Sequence, residues 1–239
     1  MKQEKPACST CGAIQFSLMR HVPGVELAQI DTAKMCNRYK KGQVLLFEGN
    51  KPMGVYCVNA GSFKMYKTTF DGKEQILGFS NPGDYVGYRA LIADEPYNKT
   101  AEALEDSIAC FIPKDAFLSL LESQPQLSKA LLKSLCHDLG IAHERLVNMA
   151  QKSVRERLAE TLLLLHDTFI PTHPAKSQQE QDVIAVQLPR EDIANLTGSS
   201  TETIIRLLTE FKESGWIELN KKQIRIVNRQ ALQKTAKMG

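Results

Sequence analysis

The repeat pattern of this chain changes at Pro113, and that change constrains its fold more than any other feature. Between Cys36 and Pro113, glycines separate short segments rich in Val, Ile, Phe and Tyr. Many short strands at this spacing are typical of a β-barrel or sandwich. After Pro113 the apolar residues recur with the period of an α-helix. The pattern therefore predicts an α+β chain in which a β domain precedes a helical region.

The β region contains five candidate strands separated by glycine-containing turns. They are Val44–Phe47, Val55–Val58, Phe63–Lys67, Gln75–Phe79 and Ile108–Ile112. Asp71-Gly72 lies between two of them, and it predicts a tight hairpin turn because glycine tolerates a positive φ.

The helical region begins with a short helix that Pro125 separates from a longer one. Apolar residues follow one another along the longer helix at alternating steps of three and four: Leu132, Leu135, Leu139, Ala142, Leu146 and Met149. This is a heptad seam. It can pack against its own domain, but the charged residues on its flanks favour a symmetric contact between two subunits.

A further helix is predicted after Ser153, because Glu156 follows three residues later in a capping-box pattern. We divide the chain into an amino-terminal segment and β domain at 1–113, helices at 114–152 and a carboxyl-terminal domain at 153–239. Residues 170–181 contain two prolines and few apolar residues, which predicts a loop.

Residues 188–227 predict two helices joined by a short turn at Thr197-Gly198, followed by a β-hairpin. The second helix has Ile204, Leu207, Leu208 and Phe211 on one face, and Glu202, Ile205 and Arg206 on the other. This arrangement is typical of a winged helix-turn-helix, whose second helix enters the major groove of DNA.

The exposed face of that helix offers side chains suited to reading bases. Arg206 can donate two hydrogen bonds to guanine and Glu202 can accept one from cytosine, although the two could also form an ordinary surface ion pair. Lysines at the hairpin tip would meet phosphate. The predicted DNA-binding residues are Ser199, Ser200, Thr201, Glu202, Ile205, Arg206, Lys221 and Lys222.

The charge distribution agrees with a nucleic-acid partner at the carboxyl end. The whole chain carries a formal net charge of only +3, but residues 203–239 hold eight basic residues against three acidic ones. Such asymmetry permits phosphate binding, although a solvated face is its commoner meaning.

The amino terminus has no apolar signal segment, and the longest leucine run, Leu162–Leu165, is too short for a membrane span. We therefore expect a cytoplasmic protein without a membrane partner. In that compartment the six cysteines are interpreted as thiols or metal ligands rather than as a disulfide framework.

These residues resemble the CRP/FNR family of bacterial transcription regulators over nearly the whole chain. The motifs that carry the resemblance include Asp71-Gly72-Lys73-Glu74-Gln75-Ile76, Pro82-Gly83-Asp84 and the E-x-x-x-R pattern of Glu202 and Arg206. The resemblance implies a cyclic-nucleotide-binding-like β-roll (a double-stranded jelly roll), a long dimerisation helix and a winged helix-turn-helix. It also implies a homodimer, an activator that reads a TGA-type palindrome in double-stranded DNA, and contacts with RNA polymerase.

Within that family the chain looks more like the FNR branch than the cyclic-AMP receptors. The receptors' ribose-binding carboxylate is absent, since the segment reads Gly87-Tyr88-Arg89-Ala90-Leu91, and Lys99-Thr100 replaces their Arg-Ser or Arg-Thr pair. Cyclic AMP is therefore not expected as the ligand. A different anionic effector that meets Arg89, Lys99 and Thr100 stays open, as does a regulator without any cofactor.

The FNR branch holds an oxygen-labile iron–sulfur cluster with four cysteines. Cys8 and Cys11 match the first two by their C-x-x-C spacing and Cys110 matches the one in the β-roll, but the third position holds Ser17. Cluster iron requires thiolate sulfur, so Cys36, His21 or Ser17 would have to complete the set. The alternatives are a redox-active dithiol, a partial zinc site or a relic.

Two other classes of protein explain less of this sequence. A nucleotide-binding signalling module without DNA function does not explain the Glu202–Arg206 helix and its wing. A thiol oxidoreductase built on Cys8-x-x-Cys11 lacks a strand-to-helix turn of the thioredoxin type. We therefore predict a regulator rather than an enzyme, controlled by a redox, oxygen or small-ligand signal.

Overall fold

The structure is a computed structural model that describes residues 7–169 and 182–237. Its contacts divide the chain into two compact units, Met1–Gly140 and Ile141–Gly239. The division falls inside a helix. The predicted domain limits at residues 113 and 152 remain predictions.

The first unit is built on two four-stranded antiparallel sheets with strand orders β1-β8-β3-β6 and β2-β7-β4-β5. The strands are β1 (Met35–Tyr39), β2 (Val44–Leu46), β3 (Gly54–Ala60), β4 (Phe63–Thr68), β5 (Glu74–Ser80), β6 (Tyr85–Val86), β7 (Thr100–Ala103) and β8 (Ser107–Pro113). All five predicted strands are confirmed, with ends shifted by at most one or two residues. The hairpin between β4 and β5 turns at Gly72, whose φ of 79° is left-handed.

An amino-terminal segment precedes the sheets. It forms three 3-10 turns, Cys8–Thr10, Ile14–Phe16 and Leu18–His21, and then helix α1 (Gly24–Ala33). Apolar residues from this segment, including Met19, Val22, Leu27 and Ile30, join the core beside Val55 and Ile112 of the sheet.

The short and the longer helix predicted after Pro113 are present as α3 (Lys114–Ser123) and α4 (Pro125–Gln151), and a further helix that was not predicted, α2 (Tyr88–Ala93), lies within the β region. Leu127 and Leu131, at the start of α4, are buried. The seam residues beyond them are not: Leu132 is 62%, Leu139 57% and Leu146 73% exposed in the single subunit. Helix α4 thus presents an apolar stripe that its own subunit does not cover.

The second unit contains α5 (Val154–Thr168), α6 (Arg190–Thr197), α7 (Thr201–Glu213), the hairpin of β9 (Ile217–Asn220) and β10 (Gln223–Ile226), and α8 (Arg229–Lys237). The predicted capping box at Ser153 and Glu156 is present. Leu158, Leu162 and Leu165 are fully buried. The loop predicted at 170–181 lies outside the described residues, and no helix of the described ranges is long and apolar enough to cross a membrane.

Candidate DNA-reading helix and cysteine-lined cavity

Helix α7 has the two faces that the sequence predicts. Ile204, Leu207, Leu208 and Phe211 are at most 5% exposed and fix the helix on its unit. The hydroxyl of Ser200 accepts a hydrogen bond from the Thr203 N–H at 3.2 Å, so Ser200 is the N-cap of α7. Such a cap satisfies an amide that would otherwise lack a partner at the helix start.

The turn before α7 is held by a contact that the sequence did not reveal. Arg157, on α5, donates from Nε to the carbonyl of Thr197 at 2.9 Å and from Nη2 to that of Gly198 at 3.1 Å. Gly198 has a left-handed φ of 70°. The guanidinium thereby satisfies carbonyls at the end of α6 and ties the turn to α5.

The outer face of α7 exposes Glu202, Ile205 and Arg206 together. Hydrogen bonds from its own backbone N–H and from the Ser200 hydroxyl lower the pKa of Glu202, which is therefore ionised at neutral pH. The guanidinium of Arg206 does not pair with Glu202. It donates to Glu210 Oε1 at 2.7 Å, one helical turn towards the carboxyl end.

Glu210 is itself anchored, because its Oε2 accepts from Arg155 Nη1 at 2.6 Å. The Arg155 guanidinium lies 5.0 Å from the ring centre of Phe211 and 5.1 Å from that of Trp216. A cation over aromatic faces is stabilised by their quadrupoles. Arg206 is thus pre-positioned by Glu210 and Arg155, neither of which was predicted.

The wing places its two lysines as predicted. Asn220 and Gln223 are paired across the hairpin, and Lys221 and Lys222 form the exposed tip. Arg190 donates to the Lys221 carbonyl at 3.2 Å. Both ammonium groups remain available to an anion such as phosphate.

The amino-terminal segment is fixed to the first unit by two close contacts. The amide of Cys8 donates to Asp31 Oδ1 at 2.7 Å. The turn at Gly83, with φ of 98°, approaches Phe16 so closely that an added Cβ would lie 2.9 Å from the Phe16 Cβ. These contacts hold both C-x-x-C cysteines beside the sheet.

Cysteines of the segment and the sheet line one cavity of about 30 Å³. The four are Cys8, Cys11, Cys57 and Cys110, and the other lining residues include Ser17, Lys34, Asn59 and Tyr85. The structure therefore brings together the three predicted cysteines. It also places Cys57, which was not among the predicted ligands, at the same cavity.

The interpretation of every cysteine as a thiol or ligand is wrong in one respect. Cys36 and Cys110 are directly opposite each other on β1 and β8, and they form a disulfide. The sequence could not show this pairing because the two residues are 74 positions apart. Cys136, on α4, is a free and exposed cysteine.

Two of the remaining sulfurs accept hydrogen bonds inside the cavity. Lys34 Nζ, although its residue is only 2% exposed, donates to Cys8 Sγ at 3.0 Å and to Asp31 Oδ1 at 2.6 Å. Asn59 Nδ2 donates to Cys11 Sγ at 3.0 Å. Burial raises the pKa of the Cys8 thiol, and the Lys34 ammonium opposes that rise.

Burial also raises the pKa of the Cys57 thiol, to about 12, and a hydrogen bond from Tyr85 works in the opposite direction. Ser17 is buried, and its hydroxyl group already has two hydrogen-bond partners. Its hydroxyl is 2.8 Å from the Tyr85 hydroxyl and accepts from the Met19 N–H at 3.1 Å.

The described residues contain no group of three or more His, Cys, Asp or Glu side chains arranged to hold a metal ion. Four sulfur donors around one cavity nevertheless suit thiophilic metals chemically. The disulfide engages the sulfur of Cys110. Cys8, Cys11 and Cys57, which are outside the disulfide, do not form such a group either, so the described residues as arranged do not fit a thiolate-bound metal or cluster.

The predicted effector residues are engaged elsewhere. Arg89 Nη1 pairs with Glu95 Oε2 at 2.9 Å. The buried Thr100 hydroxyl accepts from the Glu48 N–H at 3.1 Å. Neither residue, nor Lys99, lines the cysteine cavity.

A β-roll unit, a long helix and a winged helix-turn-helix define a DNA-binding transcription regulator. Residues 36–124 match the cyclic nucleotide-binding domain, and residues 156–235 match the Crp-like helix-turn-helix domain.

Relatives extend the match to nearly the whole chain. This chain is 31% identical over 234 residues to a fumarate and nitrate reduction regulatory protein of Yersinia pestis. The aligned residues cover 96% of this chain and 90% of that protein. This chain is 30% identical to regulatory protein HlyX of Actinobacillus pleuropneumoniae, covering 92% and 89%. The structure of FixK2 from Bradyrhizobium japonicum, at 24% identity, has the same fold with a TM-score of 0.75, covering 86% and 98%. The chain belongs to the CRP/FNR family of transcription regulators, and it is not an enzyme.

Proposed function

We propose that this regulator is a homodimer that reads a TGA-type palindromic operator under the control of a redox or metal signal received at the cysteine-lined cavity. One observation supports sequence-specific DNA binding. Helix α7 is capped at Ser200 and buried on one face, and it presents Glu202, Ile205 and Arg206 outward. A rigid helix with an exposed Glu and Arg four residues apart is suited to the major groove.

Each outward residue has a chemical partner at a base edge. Arg206 can donate two hydrogen bonds to O6 and N7 of guanine, and ionised Glu202 can accept from N4 of cytosine. The methyl group of thymine is a partner for the apolar Ile205 side chain, which is 50% exposed. Lys221 and Lys222 meet phosphate and fix the register, with Ser199, Ser200 and Thr201 near the backbone at the helix start.

The exposed stripe of α4 supports the dimer. A single subunit leaves Leu132, Leu139 and Leu146 more than half exposed, and an apolar heptad seam is covered best by a second copy of itself. Leu135, Ala142 and Met149 continue that seam. Two reading helices can then engage half-sites one helical turn of DNA apart.

The cavity supports a thiol-based signal. Cys8, Cys11 and Cys110 line it, and the relatives named for fumarate and nitrate reduction make an iron–sulfur cluster the first candidate cofactor. When bound, such a cluster would supply sensitivity to oxygen. Ser17 is held by Tyr85 and Met19, and Cys36 by its bond to Cys110.

Because Arg89 is paired with Glu95, no observation favours an anionic effector. We place the protein in the cytoplasm as an activator that contacts RNA polymerase.

Fluorescence anisotropy with three labelled duplexes tests the proposal. They carry a TGA palindrome, a single TGA half-site and a scrambled sequence at one fixed salt concentration, since salt alone changes such affinities. We expect the order palindrome, half-site, scrambled, with specific binding at least ~10³-fold tighter than non-specific binding. Equal affinity for the three duplexes would refute sequence reading by this helix.

A further inference from the structure

Arg206, the side chain proposed to read guanine, is connected to a second helix through Glu210. Glu210 Oε1 accepts from Arg206 Nη1 at 2.7 Å, and its other oxygen, Oε2, accepts from Arg155 Nη1 at 2.6 Å. One carboxylate thus bridges two guanidinium groups, one on its own helix α7 and one on α5. Charge-assisted hydrogen bonds of this kind are roughly twice as strong as neutral ones.

Arg155 in turn rests on a pair of aromatic rings. Its guanidinium carbon lies 5.0 Å from the ring centre of Phe211 and 5.1 Å from that of Trp216. The two ring centres are 4.9 Å apart, and Phe211 is fully buried. Because a close-packed interior resists displacement of such a ring, Arg155 has a fixed position, and it fixes Glu210.

The contact with Glu210 leaves Arg206 able to recognise a base. A guanidinium carries five N–H donors in one plane, and Glu210 engages Nη1. Nε and Nη2 form another edge of the group, whose two parallel donors match O6 and N7 of guanine. The Arg206 side chain is 66% exposed, so this edge can face the groove while Glu210 keeps its hydrogen bond.

Glu202, the other glutamate four residues from Arg206, has different partners. Its own backbone N–H and the Ser200 hydroxyl donate hydrogen bonds to its carboxylate at the start of α7. On an isolated helix an acid that precedes its base by four residues makes the better pair, which would favour Glu202. The structure shows the opposite order, and the contact that distinguishes Glu210 from Glu202 is the one from Arg155.

We propose that Glu210 and Arg155 are positioning residues for base recognition, which hold the Arg206 guanidinium in the orientation that selects guanine, and that Glu202 contributes to recognition independently of them. This inference rests on the proposed function, because it requires Arg206 to read guanine. It assigns to Glu210 the bracing role that the E-x-x-x-R spacing alone would give to Glu202.

The size of the effect follows from the flexibility of an arginine side chain. Immobilising one such side chain at an interface weakens binding by about 2- to 12-fold. A guanidinium that is already held in the free protein avoids most of this loss. The benefit applies to the guanine-containing operator alone, because only there must Arg206 adopt one orientation. Removing the brace should therefore lower the preference for guanine rather than binding to all DNA.

Anisotropy titrations of the full-length protein test the proposal on two operators that differ only at the guanine of the TGA half-site, and on a scrambled duplex. The variants are Glu210→Gln, Arg155→Ala, their double variant, Glu202→Gln alone and with Glu210→Gln, and Arg206→Ala. Glu213→Gln is the matched control, since Glu213 is an exposed glutamate of the same helix, two turns or about 10.5 Å beyond Arg206. It removes the same charge from α7 and leaves the bridge intact.

We expect Glu210→Gln and Arg155→Ala each to lower the preference for guanine by about 2- to 12-fold, and Glu213→Gln to keep the wild-type preference. The double variant should lose no more than Glu210→Gln alone, because Arg155 acts through Glu210. Glu202→Gln and Glu210→Gln should have additive effects, because they act independently.

Tryptophan fluorescence separates positioning from damage to the fold. Trp216 is the single tryptophan of the chain, and its ring lies beside Arg155 and Phe211. Glu210→Gln leaves these three side chains in place, so its emission spectrum in the free protein should match the wild type. A lower preference for guanine with an unchanged spectrum is the result that a purely structural role of Glu210 does not produce.

A wild-type preference for guanine in Glu210→Gln, an equal loss in Glu213→Gln, or a further loss in the double variant would overturn the inference. Arg206→Ala distinguishes this failure from failure of the proposed function. If Arg206→Ala loses the preference and Glu210→Gln keeps it, the inference alone is refuted. If the wild type shows no preference, or Arg206→Ala retains it, the proposed reading of guanine is itself refuted.

Discussion

Replacing Leu139 with aspartate should dissociate the proposed dimer. Leu139 is 57% exposed in the single subunit and lies between Leu132 and Leu146 on the uncovered stripe of α4. Complete burial of a leucine contributes about 1.5–3 kcal/mol, so covering the exposed part contributes about 1–1.5 kcal/mol for each subunit. A symmetric interface contains this residue twice. Its loss should therefore weaken dimerisation by about 2–3 kcal/mol, or roughly 30- to 150-fold, before the repulsion between two facing carboxylates is added.

Sedimentation equilibrium over a range of protein concentrations measures the change. The matched control is Leu164→Asp, because Leu164 is also an exposed leucine, 37% exposed, but lies on α5. We expect Leu139→Asp to sediment as a monomer and Leu164→Asp to sediment as the wild type does. A wild-type dissociation constant for Leu139→Asp would refute the seam, and equal weakening by both variants would show a general loss of stability.

Three other substitutions test separate contacts. Phe211→Ala empties a fully buried position of the DNA-binding unit, so the free energy of unfolding in urea should fall by ~3–5 kcal/mol; a fall below ~1 kcal/mol would contradict the packing. Gly83→Ala places a methyl group against Phe16 at a φ of 98°, so the amino-terminal thiols should be alkylated faster, and an unchanged rate would show that the segment is not held there. Hydrogen bonds from Arg229 lower the pKa of Asp167, so this pair stabilises the fold near neutral pH and the stabilisation disappears as the pH falls below ~4. Both side chains are more than a third exposed, so Asp167→Asn should cost only ~0.2–1 kcal/mol at pH 7 and less at pH 3; an equal cost at both values would exclude the ion pair as its cause.

The sequence predicts the local structure of this chain well, because local signals determine most of it. The capping box at Ser153, the turns at Gly72 and Gly198, and the two-faced pattern of α7 each act within a few residues. Each of these features is confirmed. Even the uncovered seam of α4 follows from spacing alone.

The parts that the sequence did not reveal depend on residues brought together by the fold. Cys57 faces Cys110 only through the register of β3 and β8, and Cys36 reaches it from β1. The contact between Arg206 and Glu210 could have been predicted from the sequence, because a glutamate lies four residues from Arg206 on either side, at Glu202 and at Glu210. The choice between Glu202 and Glu210 is set by Arg155, which anchors Glu210 from another helix.

The most direct test of sequence reading measures how well Arg206→Ala distinguishes two operators that differ only at the guanine of the TGA half-site. Anisotropy titrations of wild type and variant on both duplexes, at one salt concentration, give the loss of discrimination. We predict that the wild type favours the guanine-containing operator by about 1–3 kcal/mol and that Arg206→Ala loses this preference, with its binding to scrambled DNA little changed. Equal weakening on every duplex, with the preference for guanine retained, would show that Arg206 contacts only phosphate and would contradict the account.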